Sequence, residues 1–178
     1  MTGHHKKWIR AVTMTTCLVA ALHTVASVPA NSERRKPRTE KTDIERRRTR
    51  VVKTAMRFLG TPYKSGANNP KKGFDCSGFT SFVFDMEQVK ISRSSKEQFL
   101  DGVKVTGIEE IKKADLVFFS GSNSKTGIGH VGIVTEADPQ KGAFRFIHAA
   151  RNGIVVSASN EPYYAKRFMG ARRVLPDV

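Results

Sequence analysis

Cysteine is nearly absent: the chain of 178 residues holds two, Cys17 and Cys76. If Cys17 leaves with an N-terminal signal, Cys76 stands alone and no intramolecular disulfide can form. Acidic residues are scarce too, 16 Asp and Glu against 31 Lys and Arg, which leaves a net charge of +15. A surplus of that size points to polyanionic surroundings, whether nucleic acid, an anionic membrane or an acidic wall polymer. Aromatic and basic residues are not interleaved as a stacking platform for bases requires, which weakens the nucleic-acid option. No internal repeat is visible, and neither C-x-x-C nor H-x-x-x-H, the usual paired anchor of a zinc site, occurs.

Apolar runs long enough to approach a membrane span are confined to one place. "HHKKWIR" (His4 to Arg10) is positive, and "AVTMTTCLVAALHTVASV" (Ala11 to Val28) is apolar and rich in small residues. "VPA" then ends at Ala30, so residues 1–30 read as a secretory signal cleaved after Ala30. An uncleaved anchor is the competing reading, weakened by His23 and Pro29. Residues 31–41 are dense in Arg and Lys with almost nothing apolar and read as a disordered, solvated basic tether. A domain over 42–178 follows, carrying all eleven Phe and enough apolar residues for one core.

Within that domain the hydrophobic period changes once. "TDIE" (Thr42 to Glu45) predicts a capping box opening a helix with Ile44, Val51, Val52, Ala55, Phe58 and Leu59 on one face, closed by Gly60 and Pro62. A loop over Thr61 to Gly73 leads to "GFDCSGFTSFVF", where Asp75 is the expected N-cap. Phe79, Phe82, Val83 and Met86 recur at helical spacing behind it, and "SSKEQF" predicts a short capped helix. From Asp115 onward the pattern is that of strands: 115–119, 130–135, 143–150, 153–158 and a closing 170–175. "RNG" (Arg151 to Gly153) marks a tight hairpin between two of them. Helices first and consecutive strands after predict an α+β fold on a mostly antiparallel sheet.

Cys76 falls in the first turn of its helix, where unpaired backbone N–H groups and the macrodipole favour a thiolate. A nucleophile of that kind needs a base and a group to orient the base. His130 opens one strand, and His148 lies in another on the same face as Phe144 and Phe146. Two plainer readings stay open beside catalysis: satisfied core histidines, or a zinc ion held by Cys76, His130 and His148.

The motifs occur in a telling order. "GTPYKSGA", "FDCSGF", "ISRSS", "KADLVFF", "GHVGIV", "FIHA" and "GARRV", from about Val51 to Val174, resemble the successive motifs of the NlpC/P60 family of cell-wall cysteine peptidases. The resemblance implies a papain-like α+β fold with Cys76 as nucleophile, His130 as base and His148 as the residue orienting that base. It also implies that Tyr63 and Asp75 shape the substrate side of the pocket, with Ser77 as a further contributor. Ser65 and Ala67 depart from the family's usual aromatic and Gly, and Lys113-Ala114 replaces Pro-Gly, changes that touch pocket shape rather than the three central positions.

The activity so implied is hydrolysis of an amide in peptidoglycan stem peptides or cross-links, at a D-glutamyl–diamino acid or D-Ala–diamino acid bond. Neither metal nor cofactor is called for, and the protein would act as a monomer, without nucleic acid. Export places it in the periplasm or cell envelope, where the basic tether would be drawn to anionic wall components. A non-catalytic wall-binding module on the same fold is the alternative.

Overall fold

The computed structural model describes residues 40–121, 127–175 and Asp177. The signal at 1–30 and the tether up to residue 39 lie outside the described residues. None of the described helices is long and apolar enough to cross a membrane.

Helix α1 (Glu40–Met56) buries Ile44, Arg48, Val51, Thr54 and Ala55 along one stripe. It includes Glu40 and Lys41, which the sequence assigns to the tether, so the expected capping box of Thr42 and Glu45 falls inside the helix. Glu40 and Asp43 in the first turn complement the positive end of the helix dipole, which favours the earlier start. Leu59, expected on the buried face, is 47% exposed because the helix ends before it. The stripe contains a surprise in Arg48, whose fully buried guanidinium donates to the carbonyls of Lys113 (3.0 Å) and Leu175 (2.6 Å). It also reaches Asp115 at 3.4 Å and Asp177 at 3.1 Å. Asp115 is gripped in turn by Arg173, with Nε at 3.0 Å and Nη2 at 2.9 Å. A buried charge persists only where it is paired in this way.

Two short strands, β1 (Asn68–Asn69) and β2 (Gly73–Phe74), form an antiparallel ribbon that delivers the chain to helix α2 (Cys76–Met86). Asp75 caps α2 as expected, its Oδ1 accepting from the Gly78 N–H at 2.6 Å. Phe79 and Val83 are fully buried and Phe82 partly so, while Met86 is 46% exposed. The helix stops at Met86 in a Schellman arrangement: Val89 N–H donates to Phe84 O, Gln88 N–H to Asp85 O, and Gln88 takes φ 61°. Helix α3 (Ser95–Gln98) opens with a full capping box between Ser94 and Glu97.

Six strands then build one antiparallel sheet: β3 (Val103–Val105), β4 (Leu116–Ser120), β5 (Ile128–Asp138), β6 (Ala143–Ala150), β7 (Gly153–Ala158) and β8 (Phe168–Arg173). Their order is β3-β8-β4-β5-β6-β7, so the last strand returns to lie beside β4. A single-turn 3-10 helix (Ile108–Glu110) precedes β4, and helix α4 (Pro162–Ala165) precedes β8. Leu116, Phe118, Val131, Ile133, Ile147 and Ala149 face α1 and α2 in the larger core. Val117, Phe119, Val134, Phe144 and Phe146 form a smaller cluster on the opposite face, joined by Ile111 and Tyr164. Helices α1 and α2 packed on one face of an antiparallel sheet make the fold α+β.

The β6–β7 hairpin has the two-residue turn Arg151–Asn152. Gly153 alone adopts the left-handed backbone there, at φ +108°. A Cβ at that position would stand 2.9 Å from Thr61 O, so the same residue lets the hairpin pack on the loop before Tyr63. Two backbone bonds of 2.9 Å, Ile154 N–H to Thr61 O and Gly60 N–H to Ile154 O, fasten the two together.

Candidate active site

Cys76 is the first residue of α2 and a free thiol. Of the amides in that turn, Gly78 N–H goes to the Asp75 side chain and Phe79 N–H to the Asp75 carbonyl. The N–H groups of Cys76, Ser77 and, from β5, Val131 are placed to favour the thiolate. Burial nevertheless pushes the thiol above its ordinary range, and the neighbouring Asp75 carboxylate adds to the rise. The helix-end stabilisation read from the sequence is therefore present but outweighed. At rest the sulfur is protonated.

His130 and His148 stand on adjacent strands, with His130 Nε2 2.9 Å from His148 Nδ1 and the two rings perpendicular. His148 is fully buried, and Phe146 lies against it with ring centroids 4.8 Å apart. Its Nε2 faces Ser157 Oγ at 3.1 Å and the Tyr164 hydroxyl at 3.3 Å. The glycine of "HVGIV" makes this packing possible, since a Cβ on Gly132 would lie 2.7 Å from the Phe146 ring and 3.1 Å from His148 Cβ. Burial lowers the His130 pKa to about 4. Burial and the charge of His130 lower that of His148 to about 3. Both imidazoles are neutral at physiological pH.

Cys76, His130 and His148 line one cavity of about 570 Å³, together with Tyr63, Arg151 and Tyr164. Of the substrate-side residues named from the sequence, Tyr63 borders this cavity, and burial raises its hydroxyl pKa first among several influences. Asp75 and Ser77 do not border it. They are held instead by Arg93, which donates to both Asp75 oxygens and to Ser77 Oγ. Gly66 N–H completes the set at 2.9 Å from Asp75 Oδ2. The zinc reading finds no support in this geometry, because the facing ring nitrogens of His130 and His148 engage each other. No group of three His, Cys, Asp or Glu among the described residues is placed to hold a metal ion.

Arg93, Ser157 and Tyr164 were not singled out in the sequence. Arg93 lies inside "ISRSS", where the motif was visible but its partner eighteen residues earlier was not. Ser157 pairs across the ladder with Phe146, diagonal to His148, so correct strand register would have found it. Tyr164 comes from the unread helix α4 and had no signal.

Known proteins resemble this chain in sequence and in fold. A sequence model described as the NlpC/P60 family matches residues 60–173. The chain is 38% identical over 125 residues to the gamma-DL-glutamyl hydrolase of Bacillus subtilis, covering 69% of this chain and 28% of that protein. It is 33% identical over 124 residues to the murein DD-endopeptidase MepH of Escherichia coli, covering 67% and 43%. A probable endopeptidase of Haemophilus influenzae is 38% identical over 119 residues, covering 66% and 68%. The chain thus spans less than half of the first two relatives. Among solved structures, an NlpC/P60 family protein of Bacillus cereus superposes with a TM-score of 0.63 at 33% identity, over 72% of this chain and 40% of that one. The match takes in the turn that carries Cys76 and both histidine strands, and the chain belongs to the NlpC/P60 family.

Proposed function

We propose that the protein is a cysteine endopeptidase that hydrolyses amide bonds in the peptide part of peptidoglycan, at a D-glutamyl–diamino acid or a D-Ala–diamino acid bond. One observation carries the reading: two neutral imidazoles, 2.9 Å apart, border the same cavity as a thiol at a helix N-terminus. The names of the relatives, a glutamyl hydrolase and a murein endopeptidase, support the substrate class.

In this reading the hydrogen bonds set the tautomers. Nε2 of His130 is engaged by His148, so Nδ1 is the nitrogen free to take the Cys76 proton. Nδ1 can act as a base only if Nε2 carries the hydrogen and donates it to His148 Nδ1. His148 then bears its own hydrogen on Nε2, where the Ser157 and Tyr164 oxygens accept it.

The proton passes from sulfur to His130 Nδ1 as the sulfur attacks the amide carbon. The N–H groups of Cys76 and Ser77 stabilise the oxyanion. His130 returns the proton to the leaving nitrogen as the C–N bond breaks, giving a thioester. Water, deprotonated by the same Nδ1, then releases the acid and restores the thiol. Because burial disfavours either charge alone, proton transfer and attack proceed together rather than from a standing ion pair. Tyr63 contacts the substrate directly, and Asp75 and Ser77 act through the loop that Arg93 secures.

Export by residues 1–30 would bring the enzyme to its substrate in the envelope, and the basic segment to residue 39 would hold it near anionic polymers. Purified sacculi incubated with the wild type should release muropeptide fragments, and Cys76→Ala should release none. Equal release by Cys76→Ala would end the thiol mechanism.

A further inference from the structure

The cavity has an uneven electrostatic make-up. None of its described lining residues is Asp or Glu, and with both imidazoles neutral, Arg151 is the one charged side chain among them. Arg48, Arg93 and Arg173 each have acidic partners, but Arg151 takes part in none of the ion pairs among the described residues. Asp75, a carboxylate that Tyr63 also feels, already has both of its oxygens occupied by Arg93.

The backbone beneath Arg151 is fixed. It lies in a two-residue turn followed by Gly153, and that glycine is packed against Thr61 O. The bonds between Ile154, Gly60 and Thr61 fasten the hairpin to the segment leading to Tyr63. The guanidinium is close enough to favour ionisation of the Tyr63 hydroxyl, a group that also feels Cys76. A planar guanidinium outside any ion pair among the described residues, on a rigid support and lining the same cavity as the thiol, is suited to a carboxylate held in two-pronged fashion.

We infer that Arg151 is a carboxylate-binding residue of the cavity, through which the enzyme prefers a peptide with a free carboxylate beside the scissile amide to the same peptide amidated there. The inference rests on the hydrolase reading above and deepens it. A γ-linked glutamyl residue leaves its α-carboxylate free next to the bond cut, and that group is the anion proposed to meet Arg151.

The test uses two synthetic tripeptides, L-Ala-γ-D-Glu-diamino acid with the glutamyl α-carboxylate either free or amidated. The wild type should cleave the free acid with a kcat/KM about tenfold higher, the size of one charge-assisted contact after solvent screening. Arg151→Ala should lose that factor on the free acid and be unchanged on the amide, and Arg151→Lys should keep part of it. Equal losses on both peptides, or a wild type indifferent to amidation, would overturn the inference. Calorimetric binding of both peptides to Cys76→Ala separates the two readings. If the wild type cleaves neither peptide the D-glutamyl form of the hydrolase reading fails, whereas a preference for the acid in binding still supports Arg151 and equal binding opposes it.

Discussion

Arg93 grips both carboxylate oxygens of Asp75, Nη1 at 3.0 Å from Oδ1 and Nη2 at 2.8 Å from Oδ2. Asp75 is the residue before Cys76, so the pair governs the charge felt by the sulfur. Burial alone would raise the Asp75 pKa, but Arg93 and the amides of Gly78 and Gly66 hold it below the usual carboxylate range. Arg93→Met leaves a bare carboxylate beside the thiol and should raise the thiol pKa further. We expect kcat/KM to fall about tenfold. A depressed carboxylate contributes stability above its unfolded pKa and loses it as pH falls through the folded value. The variant should therefore be less stable than wild type at pH 7, with the gap closing below about pH 4 in urea titrations.

Activity should extend further into acid than an ordinary histidine allows. His130 must be neutral to accept a proton, and burial holds its pKa near 4. The acid limb of kcat/KM should thus fall near pH 4, with a plateau through neutrality, since the thiol pKa is raised rather than lowered. An acid limb between pH 6 and 7, the range of an unburied histidine, would mean that His130 is more solvated than its surroundings indicate.

Ser157 and Tyr164 set the proton positions two residues away from the sulfur. Both oxygens lie at His148 Nε2. Ser157→Ala and Tyr164→Phe should each lower kcat several-fold, within the range of general-base effects, with little change in KM. Nitrogen NMR of the two rings should show a larger population with hydrogen on His130 Nδ1. Ser157→Thr should restore both the rate and the tautomer. A loss of melting temperature with unchanged tautomers would reduce these residues to packing.

Arg48 carries the junction of α1 with the chain's end. Removing it leaves the fully buried Asp115 side chain with Arg173 as its one ion-pair partner among the described residues, beside the Lys112 N–H. Arg48→Met should cost about 3 kcal/mol, the lower end for breaking a buried pair because one partner remains. Chemical denaturation reads this directly. A variant as stable as wild type would show that the cluster serves specificity of docking rather than stability.

The parts of the fold legible in the sequence were those with long periodic signals or strong local chemistry. The helix behind Asp75, the strands carrying His130 and His148, and the Arg151–Asn152 turn all lie where their patterns predict. Strands β1, β2 and β3 have only two or three residues each, too few to show a period. Arg48 breaks the rule that charge marks a solvated face, because its hydrogen-bond partners come from residues 113 to 177 and only tertiary structure brings them near. The site divides in the same way. Motif order picked out Cys76 and the histidines, but the protonated state of the thiol depends on burial, which no spacing of residues records.

Intact-protein mass spectrometry of acid-quenched reactions tests the central chemistry most directly. With a synthetic stem peptide in excess, a fraction of the wild-type enzyme should gain the mass of the acyl half of the substrate, mapped to the peptide containing Cys76 and removed by hydroxylamine. Cleavage of that peptide at the wild-type rate by Cys76→Ala, with no adduct on either protein, would contradict it.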